Sequence, residues 1–356
     1  MLEEKQISLK ILLGNYTRVG DLFKDSGDGR IECFACGHRC KIGEGKDGIC
    51  KIRFNRGGKL LVPCGYVSSI ALDPIEKKPF YHALPGSIAM SFGMLGCDYH
   101  CSFCQNWITS QTLRDPHSVS SIEVISAEDI ITLANQHGAQ IVTSTYNEPL
   151  ITSEWAVEVF KLAKRKNLIT SYVSNGNGTP EVVEYLKPWL DLFKIDLKGF
   201  SDKRYREMGG VLQNVLDTIK LAYEKKFWVE VVTLVIPEFN DSENELRDMA
   251  NFIVSVSPDI PWHVTAFHAD YKMTEISRTP VQTLMKAVQI GYDAGLHYVY
   301  AGNIPGAVQN YENTYCHSCK ELLIERRGFQ IRMNRLQDGC CPKCKMSIPG
   351  FWKPPQ

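Results

Sequence analysis

GMLGCDYHCSFCQNW, residues 93–107, sets Cys97, Cys101 and Cys104 within eight positions, directly after the strand-like run SIAMSFG (87–93). A structural zinc site closes with four ligands, and a [4Fe-4S] cluster takes one thiolate per iron. This loop offers three. If the metal is zinc, His100 or a distant residue must complete the shell. If it is a cubane cluster, one iron keeps an open position that can chelate a small molecule through an amino and a carboxylate group.

Outward from this loop, between residues 87 and 300, β-branched or aromatic runs alternate with amphipathic stretches, the pattern of βαβ units and a parallel sheet. The strands expected after 87–93 are QIVTSTY (140–146), LITSYVS (168–174), LFKIDLK (192–198), WVEVVTLVIP (228–237) and WHVTAFH (262–268), with HYVY (297–300) a candidate seventh. Ser126 followed by Asp129 reads as a capping box for a helix to about Gln136, and Ser153 as the cap of a helix to about Lys166. Val211, Val215, Ile219 and Ala222 recur at helical spacing and predict an apolar stripe. The expected fold class is α/β, a partial (βα)6-type barrel.

The chemically distinctive residues fall where these strands end. The cysteines follow the first strand, Asn147-Glu148-Pro149 the second and Asn175-Gly176 the third; Asp196 and Lys198 end the fourth, Pro237 the fifth and His268 the sixth. Parallel strands end on one face, where loops vary without disturbing the core, so this rim is the expected active face. The Gly-, Pro- and Asn-rich run AGNIPGAVQNYENTY (301–315) reads as an exit from the core. The expected map is a Cys-rich N-terminal region at 1–86, the core at 87–301, a linker at 302–315 and a tail module at 316–356.

With three cysteines at this spacing after the first strand of a (βα) array, the chain resembles the radical S-adenosylmethionine superfamily. The resemblance implies a [4Fe-4S] cluster on Cys97, Cys101 and Cys104 and S-adenosylmethionine on the open iron. The cofactor would be cleaved reductively to methionine and a 5′-deoxyadenosyl radical that abstracts hydrogen from a substrate. It implies that Phe103 lies near the adenine and that Tyr146-Asn147-Glu148-Pro149 stands for a Gly-Gly-Glu-Pro loop holding the methionine amino group. Ser174-Asn175-Gly176 and Asp196-Leu197-Lys198 are similar to the ribose- and carboxylate-binding segments of pyruvate formate-lyase activating enzyme, and His268 matches a histidine near the adenine. Both glycines of the loop are replaced here, and Glu238 stands where Ile236-Pro237 is commonly followed by Gly.

LDPIEKKPFYHALPGS (72–87), GCDYHCSFCQNWITSQ (96–111) and GLHYVYAGNIPG (295–306) are similar to the radical enzyme of the AmmeMemoRadiSam set. That resemblance implies Memo-like and AMMECR-like partners and an electron donor such as flavodoxin or ferredoxin. Kinship with glycyl-radical activating enzymes implies a macromolecular substrate. Asp73, Glu76, Lys77, Lys78 and His82 read either as groups approaching the cluster or a partner, or as a solvated charge run.

Two further cysteine groups flank the core. Cys316-x2-Cys319 and Cys341-Pro-Lys-Cys344 form the paired knuckles of a zinc ribbon around LLIERRGFQIRMNRL, which reads as a hairpin too small to fold without metal. Spacing leaves Cys340 and Cys341 as alternative ligands, and a rubredoxin-like iron site is the minor reading. Cys33, Cys36, Cys40 and Cys50 fit zinc first, with His38 a substitute ligand, and an auxiliary iron–sulfur cluster second. Cys64 stands apart as a core thiol. Thirteen cysteines in a chain whose opening MLEEKQISLK lacks an apolar leader, with no run long enough to span a membrane, point to reduced thiols and a cytoplasmic location. Forty basic and forty acidic residues exclude a chain dominated by basic charge, although eight Lys/Arg against three Asp/Glu from Cys316 onward leave room for an anionic partner. The rival to an enzyme is a non-catalytic zinc-binding adaptor docking nucleic acid or protein through its Cys-rich ends.

Overall fold

The computed structural model describes residues 9–353; the opening MLEEKQIS, on which the absence of a leader was argued, lies outside the described residues. Eight strands form the central sheet: β1 (Ser69–Pro74), β2 (Ile88–Gly93), β3 (Ile141–Ser144), β4 (Ile169–Ser174), β5 (Leu192–Asp196), β6 (Trp228–Val235), β7 (Trp262–Ala266) and β8 (Val299–Gly302). They lie side by side in sequence order. β2 to β8 are all parallel, and β1 runs antiparallel along β2. Among the described residues, six α-helices of seven residues or more fill the crossovers: α1 (Ala127–Gln136), α2 (Ser153–Arg165), α3 (Pro180–Leu186), α4 (Leu212–Glu224), α5 (Glu243–Val256) and α6 (Val281–Ala294). The result is the expected partial barrel of six (βα) units, followed by the seventh strand that HYVY announced two residues early.

Alternation along each strand decides which face meets the helices. Met90, Phe92, Val142, Tyr172, Phe193 and Val231 join the helical core, in which Val215, Ile219 and Ala222 of α4 are buried as their spacing predicts. Ala89, Ile141, Ile169 and Leu192 point the other way and cluster with Ile75, Phe80, Ala83 and Leu84. Segment 75–84 therefore plugs the end of the barrel opposite the rim. Ser126 and Asp129 form the reciprocal capping box, worth about 1 kcal/mol. The Ser153 cap is corrected: Thr152 holds the cap position, and Ser153 Oγ donates instead to Leu150 O at 2.9 Å.

The expected boundaries also move. The sheet begins at Ser69, ahead of residue 87, and the segment 302–315 contributes strand Thr314–Tyr315 to the sheet of the tail, where it pairs with the hairpin Leu322–Arg327 and Gln330–Asn334. The tail forms the expected ribbon module, with its own three-stranded sheet, and is interlocked with the plug. Arg326, 4% exposed, donates to Tyr81 O at 2.7 Å, lies over the Tyr81 ring and faces Glu76. His82 Nδ1 bonds Pro349 O at 2.7 Å and its Nε2 bonds the Tyr300 hydroxyl at 2.6 Å, while Phe351 N donates to His82 O. Glu230 of β6 accepts from the backbone N–H groups of Tyr81 and His82 and bonds His263 Nε2 at 2.6 Å. Glu76 and His82 are thus buried joints between tail and barrel rather than a solvated run.

Candidate functional site

At the C-terminal end of β2 the chain turns where a side chain has no room: a Cβ on Gly93 would lie 2.3 Å from Thr145 O, and Gly96 takes φ +91° against Cys50 O. The cysteine loop follows. Cys97 Sγ accepts from Tyr99 N at 3.4 Å, Cys104 Sγ lies 3.2 Å from Ser110 Oγ, and Cys101 is 7% exposed. Burial pushes the Cys101 thiol up to about 12 and raises Cys97 and Cys104 as well. A metal supplies the positive charge that turns such buried thiols into thiolate ligands.

Two polar clusters flank this loop. On the Cys97 side, Asp98 is fully buried and accepts from Asn175 Nδ2 at 2.7 Å and Asn177 Nδ2 at 2.8 Å. Glu148 accepts from Leu150 N and Ser174 Oγ at one oxygen and from Asn175 N at the other, at 3.0, 2.6 and 2.7 Å. A carboxylate offers about four lone pairs, so one remains. Burial and the neighbouring Asp98 charge raise the Glu148 carboxyl to about 8. Asn147 Oδ1 accepts from Met94 N at 3.0 Å, locking this loop to the one bearing the cysteines.

On the Cys101 side, Asp196 is held between Lys194 and Lys198, the latter at 3.0 Å. Burial alone would raise the Asp196 carboxyl, but the two ammonium groups hold it below its ordinary value. Burial likewise works to lower Lys198, and the charges of Asp196 and Cys101 outweigh it and raise the group. Phe103 is buried edge-on against Phe239, with ring centroids 5.4 Å apart. His268 is exposed at the rim, 3.1 Å from the side chain of Gln105. The eight residues marked for cofactor contact therefore all lie around the three cysteines, with His268 outermost.

Several members were not singled out in the sequence. Asp98 sits inside the cysteine motif, Asn177 lies two residues beyond Asn175, and Lys194 shares a strand face with Asp196 at period two; that alternation was the available signal. Tyr146 adopts φ +70°, the left-handed conformation that a glycine takes freely. Its hydroxyl donates to Asp73 Oδ2 at 3.0 Å, and Lys78, 4% exposed, donates to the same oxygen at 2.6 Å. Asp73 and Lys78 thus lie inside the barrel beneath the rim, tied to it through the Tyr146 side chain, whereas Glu76 and His82 hold the tail.

The tail cysteines are arranged differently. Cys316, Cys319, Cys341 and Cys344 bring their sulfurs within 4.8 Å of one another, with Cys316–Cys344 and Cys319–Cys341 at 3.6 Å. Four thiolates set tetrahedrally at about 2.3 Å from zinc stand about 3.8 Å apart. Cys341 and not Cys340 completes the set. Among the described residues no other set of three His, Cys, Asp or Glu donors is drawn so close, so neither His100 nor another such group closes the rim trio to that spacing. Three thiols with no tight fourth donor, an acid with one free lone pair and a lysine pair fit a cluster with an open iron and a zwitterionic ligand.

Residues 93–253 match the family model described as Radical SAM superfamily. An uncharacterized protein of Methanocaldococcus jannaschii is 35% identical over 321 residues, which is 90% of this chain and 94% of that one. The pyruvate formate-lyase-activating enzyme of Clostridium pasteurianum is 24% identical over 201 residues, 51% of this chain and 80% of the other. Streptococcus suis SuiB bound to S-adenosylmethionine overlaps 68% of this chain and 56% of its own at 14% identity and TM-score 0.49. The family brings a [4Fe-4S] cluster and S-adenosylmethionine with it and turns against the adaptor reading. This chain is an enzyme of the radical SAM superfamily, related to the activating enzymes of glycyl-radical systems.

Proposed function

We propose that the protein generates a substrate radical from S-adenosylmethionine, with Cys97, Cys101 and Cys104 as the cluster ligands and a macromolecule as the substrate. The observation that carries this reading is the different polarity of the two clusters beside one three-thiol loop: the acids Glu148 and Asp98 by Cys97, and Lys198 by Cys101, with Lys194 behind it across Asp196. A ligand ending in an ammonium and a carboxylate needs one group of each kind. Glu148 offers its remaining lone pair to the ammonium and gives up its proton as that charge arrives. Lys198 faces the carboxylate, Asn147 and Ser174 fix the loop and the acid, and Phe103 and His268 border the adenine. One-electron cleavage of the sulfonium, ending in hydrogen abstraction by a carbon radical, is the chemistry the group supplies when bound.

The sheet supports access by a large substrate. β1 and β8 are its two edges and are not paired with each other, so the barrel opens sideways. A cavity of about 500 Å³ lies on that flank, lined by Ser69, Ala71, Ser121, Ile122 and Tyr146, a size that admits a side chain or a loop tip. We further assign zinc to Cys316, Cys319, Cys341 and Cys344, a flavodoxin- or ferredoxin-like protein as electron source, and Memo-like and AMMECR-like proteins as companions. All thirteen cysteines are free, in keeping with a reducing cytoplasm. No described helix is long and apolar enough to cross a membrane. Anaerobic incubation of reconstituted protein with dithionite and S-adenosylmethionine tests the reaction: the reading expects 5′-deoxyadenosine and methionine in equal amounts, and intact cofactor after prolonged incubation refutes it.

A further inference from the structure

The N-terminal cysteines lie outside the site described above yet pack against its loop. Cys33 ends strand Arg30–Cys33, and its N–H donates to Cys40 O at 3.0 Å, which folds the intervening turn back and brings Cys36 inward. Cys36 and Cys50 share one buried cluster with Ile52 and Ile151; Cys33 is 5% exposed and Cys40 is half-buried. The Cys33–Cys40 backbone bond and the shared Cys36–Cys50 cluster bring the four residues together, but they are not drawn into the tight grouping that the tail cysteines form. Cys97, Cys101 and Cys104 are likewise not drawn into such a grouping. Thiolates on one ion are held at its tetrahedral edge, whereas thiolates on a cubane each bind a separate iron and stand apart by the width of the core.

The surroundings supply what a cluster's sulfurs take from a protein. Arg53, 1% exposed, is fixed by Glu154 through bonds of 2.6 and 2.7 Å, and its Nε donates to Cys33 Sγ at 3.3 Å. Ile49 N donates to Cys40 Sγ at 3.5 Å. Such N–H to sulfur bonds set the potential of iron–sulfur centres. This loop also lies directly on the rim loop: Cys50 O borders Gly96, His38 Nε2 sits 3.2 Å from Asp98 O, and Gly37 N donates to Asn177 O at 2.8 Å. Cys40 is the ligand nearest the surface.

We propose that Cys33, Cys36, Cys40 and Cys50 bind a second iron–sulfur cluster, and that it relays electrons to the cluster at Cys97, Cys101 and Cys104. Four protein thiolates leave no iron open, so this centre carries electrons and does not bind S-adenosylmethionine. Each transfer is one electron, from a reduced flavin or iron–sulfur carrier protein to the N-terminal centre and from there to the rim centre. The donor is oxidised by one, the acceptor reduced by one, and no bond or proton moves.

The inference rests on the radical SAM assignment, and the test separates the two. Reconstituted protein should hold about eight iron atoms and about one zinc per chain. The triple variant C97S/C101S/C104S should keep about four of those iron atoms and show, when reduced, a paramagnetic signal that S-adenosylmethionine leaves unchanged. Should that variant fail to fold, spin counting on reduced wild type replaces it, with two spins per chain expected, one of them indifferent to the cofactor. The C36S/C50S variant should keep a cofactor-responsive rim centre that dithionite reduces normally and flavodoxin hydroquinone reduces more slowly. Two zinc ions per chain with about four iron atoms and a cofactor-responsive signal would overturn the second cluster while leaving the radical SAM assignment intact. Equal flavodoxin rates in wild type and C36S/C50S would overturn the relay.

Discussion

The tail and the rim use the same residue for opposite ends. In the tail, four sulfurs close to within 4.8 Å, and the module they organise is riveted to the barrel by Arg326, His82 and Phe351. At the rim, three cysteines sit on a loop whose neighbours are charged and carry unused capacity: one lone pair on Glu148, two ammonium groups around Asp196. A saturated ligand set stabilises a fold, and an unsaturated one leaves room for chemistry. The difference predicts that the two groups fail in different ways when mutated.

The largest effect belongs to the tail. Cys341→Ser removes a ligand from a site of the kind whose apparent metal affinity amounts to about 10–16 kcal/mol in zinc-finger peptides, and the loss reaches the barrel because Glu76, Arg326 and Glu230 are buried at the joint. The expected outcome is loss of one zinc together with a collapse of the cooperative thermal transition of the whole chain; an unchanged core transition would mean that the tail is independent after all. Cys101→Ser should do the reverse, abolishing cofactor cleavage and cofactor-sensitive signals while shifting Tm by only a few degrees, as read by circular dichroism against iron content. A fall in Tm as large as that of Cys341→Ser would erase the contrast.

Smaller effects sharpen it. Glu148→Gln keeps the bulk of the acid but not its charge, removing a bond to an ammonium worth about 1.5–3 kcal/mol, or roughly 10- to 100-fold in affinity. Equilibrium titration with S-adenosylmethionine should detect this with the cluster intact, and an unaltered Kd would remove Glu148 from the ammonium site. The raised carboxyl of Glu148, held at about 8 by burial and by Asp98, adds a pH signature. Below that value the group is neutral and must lose a proton to meet the ammonium, so affinity should climb with pH by at most about tenfold per unit and level off above about 8. A flat profile in wild type, or the same slope in Glu148→Gln, would contradict it. Least of all, Tyr146→Gly relieves roughly 1–2 kcal/mol of left-handed strain but forfeits the bond to Asp73, so stability by urea denaturation should change by less than about 1 kcal/mol. A larger loss would make the phenol a structural anchor.

Much of the barrel could be read from the sequence because its signals are local. Each strand is a β-branched or aromatic run, the capping box spans Ser126 to Asp129, and strand-end residues such as Glu148 and Asp196 are forced to one rim by parallel topology. The joint between plug and tail was hidden because its partners are distant in the chain: His82 meets Pro349, and Arg326 meets Tyr81. A buried Glu76 and an exposed one look alike in sequence, so the polar plug passed for a solvated run. Asp98 was overshadowed by the cysteines around it, and its two asparagine partners lie on the loop after β4.

Electron paramagnetic resonance of the dithionite-reduced protein, recorded with and without S-adenosylmethionine, bears most directly on the claim that the rim leaves one iron open. The account predicts that a component of the spectrum changes shape on adding the cofactor and that this component disappears in Cys101→Ser. Identical spectra in both conditions, from protein with its full iron content, would contradict it.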